Sequence, residues 1–449
     1  MHSANLITAK LKGIFLFISA LFIYTLATAQ ENSPYSRYGI GDIVPNRNIV
    51  SRSMGGVSTG YSDFQSINLS NPAALGALTS TTFDLGGEID IRTLKSNTTP
   101  DRFKSVNTNM SYLQLGFPIA PAKWRLKGNS WGVSFGLRPV TRINYKIQQN
   151  TRLTNIDSLQ TMYEGSGGLN QANVATGIKL GNFSFGASAG YSFGNKNYST
   201  RLVFINDTIP YAKSTTEINT SYGGVFVNAG LQYAIILDKK KAQSITIGAS
   251  ANFQQNLKAK KDNLIATFSY NSNGEIVDID TVSAGIDQKG TIKLPASYSG
   301  GFTYSDLHWV FGADVDFTQW SDYSSYGQKD VVKNNTTIRL GAQYFPATYG
   351  RTPAKKYWSY VRYRAGLYYG NDYVRLSSNR PDYALTLGAG LPLTSLTTRS
   401  YIDQFCTLNI GAELGQRGNK SNQSIREGYS RIMVGIAMNA GWFRKRKYD

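Results

Sequence analysis

Cysteine and histidine are almost missing from this chain of 449 residues, which has one Cys and two His. A lone Cys406 excludes an internal disulfide, and so few soft ligands exclude a His/Cys metal site within one chain. His2 falls in the leader, which leaves His308, beside Trp309 in an expected turn, with no nucleophile tied to it for hydrolase chemistry. Cys406 lies in Phe405-Cys406-Thr407-Leu408, where even positions read as lipid-facing. That setting lacks the cations that make a thiolate reactive. The residue types therefore imply no enzyme, no catalytic residue, no metal and no cofactor.

Acidic residues are also scarce, with 28 Asp and Glu against 47 Lys and Arg and a net charge of +19. A strongly basic chain raises nucleic acid as a partner. Here the basic residues are scattered, and the dense clusters, Lys239-Lys240-Lys241 and Arg444-Lys445-Arg446-Lys447, are short. They read as membrane-flanking charges facing anionic headgroups, so outer-membrane lipids and not nucleic acid are the expected contact.

Long apolar runs are missing too. Beyond residue 30 no stretch approaches the roughly eighteen consecutive apolar residues of a membrane-spanning helix, so only a barrel could still cross a bilayer. The one apolar run is at the start, where Lys10 and Lys12 precede Ile14 to Ile23 and the small-residue site Ala27-Thr28-Ala29. It reads as a cleaved signal peptide over residues 1–29, with Gln30 the mature N-terminus and a net charge of +17 left once Lys10 and Lys12 are gone.

What the sequence does have is Gly, 44 of them, with 29 Tyr and 21 Phe, and a period of two. From Phe183 to Gly194 the odd positions are Phe, Phe, Ala, Ala, Tyr and Phe, whereas the even ones are Ser or Gly. The same split recurs from Trp131 to Arg138, from Ile245 to Gln254 and from Arg431 to Ala440. A barrel strand sets alternate side chains against lipid and lumen, which gives this pattern. Such segments predict an all-β fold, a transmembrane antiparallel β-barrel of about fourteen strands over residues 81–443. Short links at 181–182, 238–241 and 306–308 suit the periplasmic rim, and 149–167 and 321–330 read as extracellular loops. A soluble β-sandwich shares the alternation but does not need so many tyrosines near strand ends.

Residues 30–80 break the period. They are rich in Gly, Ser, Asn and Arg, and Asn71 can cap a short helix opened by Pro72. The economical place for such a segment is inside the barrel, as an N-terminal luminal plug. The lumen-facing register carries Glu88, Arg138, Asp314, Asp316, Arg339, Arg362, Arg364 and Arg431, alongside Asp84, Asp90, Arg92 and Glu413. Plug residues Arg37, Asp42 and Arg52 are their expected partners, as salt bridges that fix the plug or as a gate. Pro295, Gly300 and Gly301 mark a candidate kink in the wall, because Pro removes a ladder donor.

The plug motif Asn71-Pro72-Ala73 before a fourteen-stranded wall resembles the FadL-type outer-membrane transporters. The opening Ser33 to Asp42 and the ending from Glu427-Gly428-Tyr429 to Trp442 and Tyr448 are similar to the FadL-like branch of Bacteroidetes-type bacteria. The resemblance covers essentially the whole mature chain. It implies a Gram-negative outer-membrane location and passive uptake of long-chain fatty acids or other hydrophobic small molecules, with Asn71, Pro72 and Ala73 in a plug whose shift opens a route sideways through the wall. The alternative is an accessory or scaffold subunit of an outer-membrane protein export or assembly complex, in which the basic tail 444–449 and an exposed face meet other envelope proteins. An apolar cavity with a wall defect marks the first reading, and a filled lumen with an exposed face marks the second.

Overall fold

A computed structural model describes residues 33–96, 102–152, 158–205, 211–347, 356–375, 380–394, 405–419 and 425–439. The expected signal peptide and basic tail lie outside the described residues.

The wall is a closed antiparallel barrel of 14 strands. In chain order they are β1 (Thr82–Lys95), β2 (Arg102–Pro118), β3 (Ser130–Arg152), β4 (Ser158–Leu180), β5 (Phe183–Phe204), β6 (Lys213–Asp238), β7 (Gln243–Asn252 continued by Gln255–Tyr270) and β8 (Ile276–Leu294 continued by Ser297–Ser305). Then come β9 (Trp309–Thr318), β10 (Asn335–Tyr344), β11 (Arg362–Asn371), β12 (Pro381–Pro392), β13 (Cys406–Arg417) and β14 (Arg426–Asn439). Closure is made by β14 on β1, from Arg426 opposite Lys95 to Asn439 opposite Thr82. Among the described residues, no helix is long and apolar enough to cross a membrane.

Alternation sets which side chains meet lipid. Phe183, Phe185, Tyr191 and Phe193 are exposed on the outer face of β5, while Ser184 and Ser192 between them are buried in the lumen. Aromatic pairs gather at the end that carries the barrel termini: Phe183 with Tyr233, Trp309 with Tyr344, and Trp124 with Trp131. They form the girdle expected where a barrel meets headgroups.

The wall is uneven in height. A tilted strand of about ten residues crosses the hydrocarbon, and β9 to β14 have 10 to 14. By contrast β3, β4, β5 and β6 have 23, 23, 22 and 26. The expected loop at 149–167 is therefore a correction: β3 runs to Arg152 and β4 starts at Ser158, so most of it is paired strand. β8 is likewise long on this side, beginning at Ile276. Polar residues at these positions do not end the strands, because beyond the bilayer both faces meet water and the alternation fades while the ladder continues.

This tall half-wall leaves a free edge. Ile292 and Lys293 pair with Ser325 and Ser324, and Tyr326 caps this contact through its N on Thr291 O and its Oη on Gln288 O; above Gln288 the outer side of β8 pairs with no strand among the described residues. Its pairing with β7 shifts register three times, between Asp278 and Asp280, Thr281 and Ser283, and Gly285 and Gln288. Bulges and charges of this kind blunt an edge against indiscriminate strand addition.

Inside the barrel, residues 33–81 form the plug. It has little regular structure: a 3-10 turn at Pro34–Arg37, one helical turn at Ile49–Arg52 and a 3-10 stretch at Pro72–Ala77. Each is capped by its preceding residue, Ser33, Asn48 and Asn71, whose side chain accepts a backbone N–H that the short turn leaves unpaired. Apolar clusters hold the rest: a large one around Ile40 with Leu169, Trp320, Tyr323 and Tyr373, and smaller ones of Ile49 with Tyr112 and Met433 and of Ile67 with Leu75, Leu78 and Ala175.

The plug lies directly on wall glycines. A methyl at Gly186 would collide with Pro72 and the Ala73 backbone, and one at Gly230 with the Asn71 side chain, whereas one at Gly300 meets nothing within 4 Å. Gly186→Val is therefore expected to cost about 1–3 kcal/mol by overpacking, read as a lower midpoint in heat-modifiability electrophoresis and faster proteolysis of the plug. Gly300→Val is expected to match the parent in both assays.

Candidate functional site

The site is the contact between plug and wall, and its chemistry is that of buried charges. Arg52, on the single helical turn, reaches two wall carboxylates, Glu88 of β1 at 2.6 Å and Glu413 of β13 at 3.1 Å. Arg431 of β14 binds the other oxygen of Glu413 at 2.6 Å and lies 3.5 Å from Asp90. Plug residue Asp42 takes Arg417 at 2.6 Å and Arg92 at 2.9 Å. A buried cation is tolerable only with such partners.

Two further clusters pin the plug elsewhere. Asp316 of β9 lies between Arg47 of the plug at 2.8 Å and Arg339 of β10 at 2.6 Å. Next to it Asp314 accepts the backbone N–H groups of Ser58 and Thr59 at 2.7 and 2.9 Å. Arg362 binds Asp63 at 2.8 Å. Arg364 donates to Gln343 and Asn409 at 2.8 and 2.9 Å. Irregular backbone inside a closed wall has orphan donors, and here side chains of the wall and its links satisfy them: Thr386 for Gly55, Asp84 for Ile67 and, from the link between β9 and β10, Asp330 for Gly39.

Asn71 is fully buried. Its Oδ1 accepts from Ala73 N at 3.1 Å, and its Nδ2 donates to Thr59 O at 2.8 Å and to Leu231 O of the wall at 3.2 Å. Pro72 opens the turn and Ala73 packs behind it. Arg37 is placed apart from these contacts: it is exposed, with its guanidinium 5.1 Å from the Tyr38 ring centre.

Sequence reading missed a third group, near the end opposite the termini. Arg380, in the link between β11 and β12, is fully buried, 2.9 Å from Asp372 and with its guanidinium carbon 3.5 Å from the Tyr35 ring centre. Burial pushes the Asp372 carboxyl up despite the pull of Arg417 and Arg380. Ser33 also bonds Glu427 of β14. No pattern in a loop sequence distinguishes such an arginine from a solvated one.

The wall is interrupted in two places. Both β7 and β8 break at the same height, at Phe253-Gln254 and at Pro295-Ala296. Gly300 and Gly301 lie outside this break, in regular register with Val315 and Asp314 on one side and Ala249 and Gly248 on the other. They carry no kink, because Gly in a fully paired strand keeps ordinary geometry.

The larger interruption is between β2 and β3. These strands pair only from Leu113 opposite Leu137 to Pro118 opposite Gly132. Beyond that point the plug supplies the missing ladder, with Asp42 and Ile43 opposite Arg142 and Thr141, and Val44 N donating to Val140 O at 2.9 Å. Arg142 spans the gap, binding Glu88 at 2.7 Å and Met110 O at 3.0 Å. A bulge in β2 puts both Ser111 and Tyr112 inside, and Tyr112 Oη donates to Asp84 at 3.0 Å while accepting from Ile49 N.

Among the described residues, no group of three or more His, Cys, Asp or Glu is arranged to hold a metal. His308 Nδ1 is engaged with Phe345 O at 2.9 Å.

A closed fourteen-stranded wall with a luminal plug of this kind defines an outer-membrane β-barrel of the FadL-type fold. Solved structures with that fold include the Pseudomonas putida toluene transporter TodX (TM-score 0.55, 14% identity, 90% of this chain and 100% of that one) and a Pseudomonas aeruginosa FadL homologue (0.53, 14%, 89% and 99%). The Ralstonia pickettii toluene transporter TbuX is similar as well (0.51, 13%, 88% and 99%). No curated protein matches the sequence. The sequence profile of the BamG family matches residues 11–449, and the chain belongs to that family.

Replacing Arg52 by Met removes the cation that joins Glu88 and Glu413, which project from the two strands flanking β14. Removing one partner of a buried pair costs about 3–5 kcal/mol, and here Arg142 and Arg431 should hold the loss to the lower figure. The expected result is a clear drop in the thermal midpoint of the folded barrel. Adding Glu88→Gln and Glu413→Gln should recover much of it.

Proposed function

We propose that this protein is a non-catalytic accessory or scaffold subunit of an outer-membrane protein export or assembly complex. The observation that carries this reading is the filled lumen: the plug is tied to the wall on several sides by desolvated ion pairs. The space that remains is lined by arginines, carboxylates and amides interleaved with Ile43, Val44, Val140, Leu169 and Trp320. An apolar solute gains less from a space of such mixed lining than from a continuous apolar passage.

A scaffold needs a face to offer, and the tall half-wall has one. On the free edge of β8, Ile279 and Val282 are each 66% exposed and Ile286 is 81% exposed. Apolar side chains beside unpaired strand groups, outside the membrane, suit addition of a partner's extended segment. Export through a cleaved leader over residues 1–29, a Gram-negative host of the Bacteroidetes type and a tail at 444–449 that meets envelope proteins complete the reading.

A second reading is passive uptake of long-chain fatty acids or other hydrophobic compounds. It is favoured by the unpaired stretch between β2 and β3, and by the description of the structurally similar proteins as toluene transporters and a monoaromatic hydrocarbon channel. In that reading the route runs sideways through the wall once Asp42 to Val44 leave β3.

Purification from the native outer membrane in mild detergent separates the two. A stoichiometric complex with other envelope proteins is expected, released by Ile279→Asp with Ile286→Asp while the heat-modifiable band persists. A solitary barrel carrying apolar molecules, with hydrocarbon uptake that rises in Arg52→Met, would overturn the scaffold reading in favour of transport.

A further inference from the structure

The luminal arginines described above come with carboxylates or with several amide acceptors, and Arg138 does not. It projects from the inner face of β3, one residue beyond Leu137, where pairing with β2 ends. Among the described residues its guanidinium makes one hydrogen bond, to Gln171 Oε1 at 2.6 Å, and it has no acidic partner. The polar chain behind it is neutral: Gln171 Nε2 donates to Ser192 Oγ at 3.0 Å, and Ser192 Oγ donates to Gln255 Oε1 at 3.0 Å.

Arg138 lines a luminal cavity of about 280 Å³. The carboxylates on that cavity's wall are already committed. Asp316 serves Arg47 and Arg339, and Glu413 serves Arg52 and Arg431. Asp372 and Asp382 are held by Arg380 and Arg417. Among the described residues the cavity is therefore left with the Arg138 guanidinium uncompensated. Guanidinium cannot relieve this by losing its proton, and a half-buried positive charge without a counter-ion is unfavourable.

We propose that the cavity at Arg138 binds a small oxyanion, a carboxylate or phosphate group that completes the pairing of its guanidinium. The fork of N–H donors matches such a group in plane and spacing, and Gln171 fixes the fork. Two sources share this chemistry. A lipid headgroup can arrive at the interruption between β2 and β3, which begins at this residue, when Asp42 to Val44 leave β3, and a soluble anion can arrive from the end opposite the termini. The site is independent of whether the barrel acts as a scaffold or a channel.

The test uses the full-length protein in nonionic detergent. Its thermal midpoint is followed as inorganic phosphate replaces chloride at constant ionic strength, and native mass spectrometry records retained lipids. Arg138→Gln, checked for the heat-modifiable band, controls for the general stabilising effect of phosphate, and Arg138→Lys retains the charge. A phosphate-dependent rise in the parent that is lost in Arg138→Gln and partly kept in Arg138→Lys supports the site with a soluble ligand. An anionic lipid adduct reduced at least tenfold in Arg138→Gln supports it with a headgroup. If the parent shows neither response, or Arg138→Gln matches it in both, the proposal is overturned.

Discussion

The structure depends on desolvated charge pairing between a plug that has almost no secondary structure and a wall that has nothing else. Residues 33–81 bury their apolar side chains chiefly against the wall and its links, as Ile40 does beside Leu169, Trp320 and Tyr373, and not in a core of their own. What fixes them is the set of carboxylates and guanidinia that the barrel projects inward. Arg52 between Glu88 and Glu413, Asp42 between Arg417 and Arg92, and Arg47 with Asp316 each join a plug residue to a wall strand. Such pairs add little net stability compared with apolar packing. They enforce geometry, because any displacement of the plug strands several charges in a space with few other partners.

The wall follows from a different rule, and the two rules meet at glycine. Alternating apolar and small residues make a strand that faces lipid on one side and leaves room on the other. Where the plug lies closest, the inward position is Gly, as at Gly186 beneath Pro72 and Gly230 beneath Asn71. Where it stands off, the inward position is a charged or amide side chain that reaches across. Plug and wall are thus complementary in volume as well as in charge.

Much of this was legible in the residues. The alternation around Phe183 to Gly194 and Ile432 to Ala440 defined wall strands, and the loss of period before Thr82 marked the plug. Strand ends were harder. The alternation that signals lipid on one face weakens beyond the bilayer, which is why β3 and β4 ran through a segment that looked like loop. The candidate site was readable wherever a charge sat on an inward register position. It was not readable in loops, where Arg380 and Asp372 have no periodic neighbours. Pairing itself was also hidden, since which acid meets Arg52 depends on closure of β14 on β1.

That closure has a consequence for assembly. The plug precedes β1 in the chain, while several of its partners, Glu413, Arg417 and Glu427, belong to the last two strands, which complete the seam. A seam zipped before the plug arrived would trap an empty, strongly charged shaft with the plug outside. One drawn around a seated plug gains its ion pairs as it closes. The final hydrogen-bonded row and the filling of the interior are therefore one cooperative step, and the plug acts as the mandrel on which the cylinder is finished.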